Sequence, residues 1–182
     1  GSKDPALFIL ASPTLQVVIL AAGLGKRMGS GRPKVLHPLP RRPLLPHVIA
    51  TARGLAPRRL CVMVGHGGDE VRKAIGDDSI AWATQQPLLG TGHAVQQAMP
   101  HLEGAGTVLV LYGDTPLIAS GTMRALVDAA AQDHLAILTQ EVDDPKGFGR
   151  IVRDAGGRVL RIVEEKDATD AERAIREVNM GF

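Results

Sequence analysis

The residues best suited to chemistry lie in Leu20–Ala21–Ala22–Gly23–Leu24–Gly25–Lys26–Arg27–Met28–Gly29 and in Pro33–Lys34–Val35–Leu36–His37. The glycines let the backbone turn tightly and approach a ligand, since no Cβ stands in the way. Amides exposed in such a turn form an anion-binding concavity. Arg27 adds a planar fork and Lys34 a point charge, and both suit phosphate oxygens. The chemistry this stretch fits is the binding of a polyphosphate. Two better-known glycine loops fail on residues. A P-loop needs Ser or Thr after Gly-Lys, where Arg27 stands, and its first glycine would fall on Leu20. The dinucleotide fingerprint needs a small third residue, where Met28 stands. A glycine-rich turn with surface charges remains the plain alternative.

Two further stretches carry polar groups behind apolar runs. Gln85–Gln86–Pro87–Leu88–Leu89–Gly90–Thr91–Gly92–His93–Ala94 places an amide side chain before a glycine turn, and an amide both donates and accepts at a base edge. A polar loop with Thr91 capping the following helix explains the same residues. Tyr112–Gly113–Asp114–Thr115–Pro116 follows the apolar run Thr107–Leu111. A carboxylate there stands where ligands bind in open α/β sheets, and magnesium needs one or two carboxylates beside substrate phosphates. Gly-Asp-x-Pro is also good turn chemistry. His66, in Gly65–His66–Gly67–Gly68, has no second ligand at metal-binding spacing and reads as a loop residue.

These motifs have to be positioned by alternating strands and helices. Leu15–Leu20 reads as a buried strand, because Val17, Val18, Ile19 and Leu20 leave no polar face. Further strands are expected at Leu60–Val64, Ile80–Ala83, Thr107–Leu111 and Leu135–Gln140. Helices are expected at Pro43–Leu55, around Val71 and Ile75, from Thr91 with Ala94, Val95, Ala98, Met99 and Leu102 inward, and at Ser120–Ala131. Arg150–Arg153 and Val159–Glu164 alternate around Gly156–Gly157, a hairpin signal, and such a hairpin could wall an acceptor site. A charged helix, Asp170 to Glu177, and a strand from Val178 to Phe182 follow. The expected fold is α/β, a Rossmann-like open, mostly parallel sheet flanked by helices, with a small β-hairpin insertion.

The chain has 182 residues, 45% hydrophobic and 3% aromatic, so Ala, Val, Leu and Ile must fill the core of one domain. A formal charge of +2 without a basic aromatic stripe gives no sign of a nucleic-acid partner. No apolar run approaches a membrane span. Cys61, the single cysteine, excludes an intrachain disulfide and reads as a small buried hydrophobe. Residues 1–13, opening Gly1–Ser2, read as a tag or flexible extension, and 14–182 as the domain.

The first stretch resembles the signature of nucleotidyltransferases that activate sugar phosphates. Its form Leu-Ala-Ala-Gly-x-Gly-x-Arg-Met…Pro-Lys-Val-Leu-His is most similar to the uridylyltransferase domain of the bifunctional N-acetylglucosamine-1-phosphate uridylyltransferase family. Gln85 followed by Gly-Thr-Gly-His-Ala resembles the uracil-binding segment and separates the chain from molybdopterin and isoprenoid relatives. Gly-Phe-Gly-Arg-Ile, Val-Glu-Glu-Lys-Asp-Ala-Thr and Val-Asn-Met-Gly resemble the acceptor-site segments. The resemblance runs from Val17 to Phe182. It implies a cytoplasmic enzyme of cell-envelope precursor synthesis that uses Mg2+, UTP and a sugar-1-phosphate. Arg27 and Lys34 would be catalytic. Leu20, Ala21, Ala22, Gly23, Lys34, Gln85, Gly90, Thr91, Tyr112, Gly113, Asp114, Gly149, Glu164 and Asn179 would bind the nucleotide or UDP-sugar, and Asp114 the metal. Met180 stands where the family often has a hydroxyl residue.

The family's domain continues past this point to a second metal ligand, an asparagine, and then to an acetyltransferase β-helix. The expectation is therefore a domain incomplete at its C-terminal end, turning over poorly, prone to self-association at an uncovered edge strand near Phe182, and without acetyltransferase activity. Two alternatives stay open: a CTP- or GTP-dependent nucleotidyltransferase, and a nucleotide-sugar-binding module without turnover.

Overall fold

The computed structural model describes residues 14–23, 33–39, 42–130 and 134–181. β1 (Leu15–Ala21) lies at the centre of a four-stranded sheet, between β2 (Arg59–Val64) and β4 (Thr107–Tyr112). β3 (Ala81–Thr84) lies outside β2, so the order is β3-β2-β1-β4, and every pair is parallel. Side chains alternate across a strand. Val17 and Ile19 therefore pack on one face, and Val18 and Leu20 on the other. The first face is covered by α1 (Leu44–Arg53), α2 (Gly68–Ile75) and α4 (Ser120–Ala129), through Leu45, Val48, Val71, Met123 and Leu126. The second face is covered by α3 (Thr91–Ala98), through Ala94 and Ala98. Helices on both faces explain why Val17–Ala21 of β1 and Leu60–Val64 of β2 read as unbroken apolar runs. Cys61 is fully buried in this second face, and burial pushes its thiol up to about 11.

Parallel register aligns the carboxyl ends. Ala21 sits opposite Val64, Val64 opposite Thr84, and Leu20 opposite Tyr112. The segments that leave these ends, Ala22–Gly23, Gly65–Gly67, Gln85–Gly90 and Gly113–Asp114, emerge along one edge of the sheet.

The rest of the chain forms a second sheet, which extends the expected hairpin. β6 (Arg150–Arg153) and β7 (Val159–Val163) pair antiparallel as expected, but β8 (Glu177–Asn179) and β5 (Thr139–Glu141) join them in the order β5-β8-β6-β7. The expected strand Leu135–Gln140 is thereby corrected: residues 135–138 make no strand, and only Thr139 and Gln140 enter one. Ala136 and Leu138 instead pack on the core, and 134–137 line an apolar cavity of about 250 Å³ along β4. The expected long charged helix shrinks to α5 (Asp170–Arg173), started by a Thr169–Glu172 capping box. Glu177 belongs to β8 instead, because Arg153 on β6 holds its carboxylate with two hydrogen bonds, Nε at 2.7 Å and Nη2 at 2.6 Å.

That pair makes the second sheet acid-sensitive. The Arg153 hydrogen bonds hold the Glu177 carboxyl down from 4.5 to about 2. A carboxylate depressed in the folded state binds fewer protons than the unfolded chain, so its stabilisation is complete above pH 4.5 and is lost as pH falls toward 2. Glu177→Gln is expected to flatten acid unfolding across that window, followed by circular dichroism, while unfolding at pH 7 shows a lower midpoint than wild type. An unchanged acid limb would mean the pair contributes nothing in solution.

Candidate active site

The carboxyl ends of β1, β3 and β4 enclose a cavity of about 230 Å³. It is lined by Leu20, Ala21, Ala22 and Gly23 from the end of β1, Gln85, Gly90 and Thr91 after β3, and Tyr112 and Asp114 after β4. Lys34 closes it from the 3-10 turn Lys34–Leu36. Ten of the expected site residues thus share one cavity, and Val35, Leu88 and Ala94 complete its lining. Close backbone approach makes this possible. A Cβ at Gly65 would stand 2.8 Å from the Ala22 carbonyl oxygen. A Cβ on Gly113 would meet Ala21, Leu20 and Leu45 at 3.3 Å each, and its amide donates to the Leu20 carbonyl at 2.9 Å. Gly113 therefore acts as a spacer behind the cavity rather than as part of its wall.

One wall carries charge. Lys34 Nζ lies 2.5 Å from Asp114 Oδ2, with the two side chains 41% and 26% exposed. The turn around Asp114 is held by Thr115, whose amide and hydroxyl both donate to the Tyr112 carbonyl, at 3.3 and 2.8 Å. The Asp114 carboxylate is therefore not used by its own turn and faces a cation. Asp114 is the only carboxylate among the described lining residues, and no group of three His, Cys, Asp or Glu that could hold a metal occurs among the described residues. This donor set fits a cation that takes one protein carboxylate and completes its shell with phosphates and water, not a preformed cage.

The opposite wall carries hydrogen-bonding groups. Gln85 is 5% exposed and donates from Nε2 to the Gly90 carbonyl at 2.8 Å. Thr91 is not the helix cap that the sequence leads one to expect. Gly90 takes that place with φ 97°, a conformation glycine adopts readily, and no side chain caps the helix. Thr91 is the first helical residue, and its side chain hydrogen-bonds Tyr112 instead. Burial holds the Tyr112 hydroxyl above its ordinary pKa of 10, the Thr91 hydrogen bond opposes this, and the Glu164 and Asp114 carboxylates reinforce it. Tyr112 is thus a neutral phenol at neutral pH. Met99, expected inward on α3, is 53% exposed because α3 ends at Ala98 and a 3-10 turn carries Met99 outward.

Gly149, Glu164 and Asn179 form their own cluster on the second sheet and do not line this cavity. The Asn179 amide donates to the Gly149 carbonyl at 2.8 Å, and a Cβ on Gly149 would lie 3.4 Å from Glu164 Oε1. Tyr112 links the two groups: Gly181 lies against its ring, and Glu164 acts on its hydroxyl. Arg27, with Gly25 and Met28, lies outside the described residues. Sequence reasoning passed over His93, whose Nδ1 is 3.1 Å from Gln85 Nε2. The only signal was its place in Gly-Thr-Gly-His-Ala.

Known proteins resemble this chain in sequence and in fold. Two curated proteins named "Bifunctional protein GlmU", from Azoarcus sp. (strain BH72) and Ralstonia nicotianae (strain ATCC BAA-1114 / GMI1000), are each 60% identical over 168 residues. The match takes in 92% of this chain, which spans 37% of the length of those relatives. Among solved structures, HddC from Yersinia pseudotuberculosis, complexed with GMP-PN, superposes with a TM-score of 0.66 at 26% identity, over 82% of this chain and 68% of that one. Rv0371c from Mycobacterium tuberculosis H37Rv shares the fold, with a TM-score of 0.59 at 24% identity over 66% of this chain and 62% of that one. Residues 17–177, from the first residues of β1 to the start of β8, match the MobA-like NTP transferase domain, and the chain belongs to that family.

Proposed function

We propose that this domain transfers a uridylyl group from UTP to N-acetylglucosamine-1-phosphate, giving UDP-N-acetylglucosamine and pyrophosphate. The observation that carries the reading is the cavity itself. A paired cation and carboxylate, Lys34 and Asp114, face one side of it, and the Gln85–Gly90–Thr91 amide and hydroxyl groups face the other. One end suits phosphates and the other a base. The resemblance of Gln85…Gly-Thr-Gly-His-Ala to the uracil segment, and the identity to the GlmU relatives, favour uracil and this acceptor.

The nucleophile, a phosphate oxygen of the acceptor, attacks the α-phosphorus of UTP in line. It is already anionic, so no general base is needed and the protein's work is positioning and charge neutralisation. Lys34 would exchange its contact with Asp114 for donor and acceptor phosphates. Arg27, outside the described residues, would stabilise the α-phosphate and the leaving pyrophosphate. The amides around Ala22–Gly23 would cradle phosphates. Gln85, Gly90 and Thr91 would read uracil, and Gly149, Glu164 and Asn179 would contact the sugar half. Asp114 would hold a Mg2+ ion, which would supply positive charge against the negative charge developing on the phosphates. The strand near Phe182, β8, is flanked by β5 and β6, so it is not the uncovered edge strand at which the sequence leads one to expect self-association.

The test is calorimetric titration with UTP, CTP, GTP and ATP in Mg2+, followed by pyrophosphate release with N-acetylglucosamine-1-phosphate and glucose-1-phosphate. UTP and the N-acetylated acceptor are expected to be preferred. Preference for CTP or GTP would overturn the reading.

A further inference from the structure

Gln85 Nε2 sits between two acceptors. It is 2.8 Å from the Gly90 carbonyl oxygen and 3.1 Å from His93 Nδ1. A carbonyl can only accept, so the amide group facing Gly90 must be the NH2. Its two hydrogens are then committed, one to Gly90 and one to His93. The imidazole must accept at Nδ1 and carry its proton on Nε2. The other end of the amide, Oε1, has no partner among the described residues, and Gln85 lines the cavity. Through Gln85 the wall therefore offers a base an acceptor rather than a donor.

We infer that His93 is a positioning residue for base selection: by accepting from Gln85 Nε2, it keeps Oε1 turned to the nucleotide. The inference rests on the uridylyl-transfer reading above and deepens it. Uracil presents an N–H at N3, which an acceptor matches. Cytosine presents a lone pair at N3, which an acceptor repels. A flipped Gln85, with NH2 toward the base, would reverse that preference. Gly90 alone engages one amide hydrogen. Without an acceptor at position 93, the second hydrogen is left unpaired on a side chain that is only 5% exposed, a costly state. A full flip would set Oε1 against the Gly90 carbonyl, so the amide instead swings off both partners toward water, Oε1 loses its fixed direction, and discrimination between the bases falls. The pairing depends on the chain turning at Gly90, which brings residues 85 and 93 together from opposite sides of the turn.

The experiment compares UTP and CTP affinity in Mg2+ for the wild-type chain, His93→Leu and His93→Asn, with inorganic triphosphate as a probe of the phosphate half. Leucine removes the acceptor, whereas the asparagine Oδ1 can stand where Nδ1 stood. The UTP-to-CTP affinity ratio is expected to fall at least about tenfold in His93→Leu and to recover in His93→Asn, with triphosphate affinity unchanged. A ratio that stays within about twofold of wild type in His93→Leu, or an asparagine variant no better than leucine, overturns the inference while leaving the uridylyl reading intact. A wild-type chain with no preference for UTP overturns both. Should His93→Leu fail to fold, nitrogen NMR of the wild-type imidazole decides. A proton on Nε2 with Nδ1 bare supports the inference, and a proton on Nδ1 overturns it.

Discussion

Asp114→Asn is expected to lower the rate of pyrophosphate release from UTP and N-acetylglucosamine-1-phosphate by about a hundredfold to a thousandfold at saturating Mg2+. The substitution removes one charge and almost nothing else. The turn survives, because Thr115 and the Tyr112 carbonyl make it. Asparagine can still accept from Lys34 through its side-chain oxygen. What is lost is the only carboxylate among the described lining residues, and with it the anion that, in the proposed reaction, would hold a divalent cation beside the phosphates. The sign of the binding change separates this from general damage. With chelator present, Asp114 repels the polyphosphate, so metal-free UTP is expected to bind the variant as well as wild type or better. With Mg2+ present, the wild type regains the advantage. A variant that kept its rate within tenfold would reduce Asp114 to a turn residue.

Legibility in the sequence followed burial. β1, β2 and β4 are read from apolar runs because helices cover both faces of their sheet, and the loops after them are read from glycines that close packing requires. Gly65 and Gly113 are such positions. In the second sheet the β6–β7 hairpin is read from Gly156–Gly157, but its joining by β8 and β5 is hidden because that pairing is non-local: β5 and β8 have three residues each and lie far apart in the chain. Apolar Leu135–Leu138 read as a strand by composition, yet Ala136 and Leu138 serve the core without ladder partners. Thr91 read as a cap by residue type, but Gly90 adopts the backbone angle that starts the helix one position earlier. His93 carried no signal of its own. Its contact with Gln85 depends on the turn between them, and no periodicity records that.

Lys34→Ala is expected to move two measurements in opposite directions. The ammonium lies against Asp114 Oδ2 and so competes with any metal ion for that oxygen. Both groups are partly exposed, so the pair adds little to fold stability, and the thermal midpoint should barely change. Removing the ammonium leaves the carboxylate open. Mn2+ alone, followed by electron paramagnetic resonance, should then bind the variant more tightly than wild type. UTP in Mg2+ should bind more weakly, and pyrophosphate release should fall by about a hundredfold, since a positive charge near the transferring phosphate is lost where it matters most. Lys34→Arg keeps the charge but replaces a compact point donor with a broad fork, so it should restore nucleotide binding more fully than rate. The opposed signs are the diagnostic feature. If Lys34 merely supported the loop, both metal and nucleotide binding would weaken together. If it touched phosphate but never shielded Asp114, nucleotide binding would fall with Mn2+ affinity unchanged. A gain for the metal beside a loss for the nucleotide means that Lys34 holds the site closed to the cation until the phosphates arrive to take the lysine.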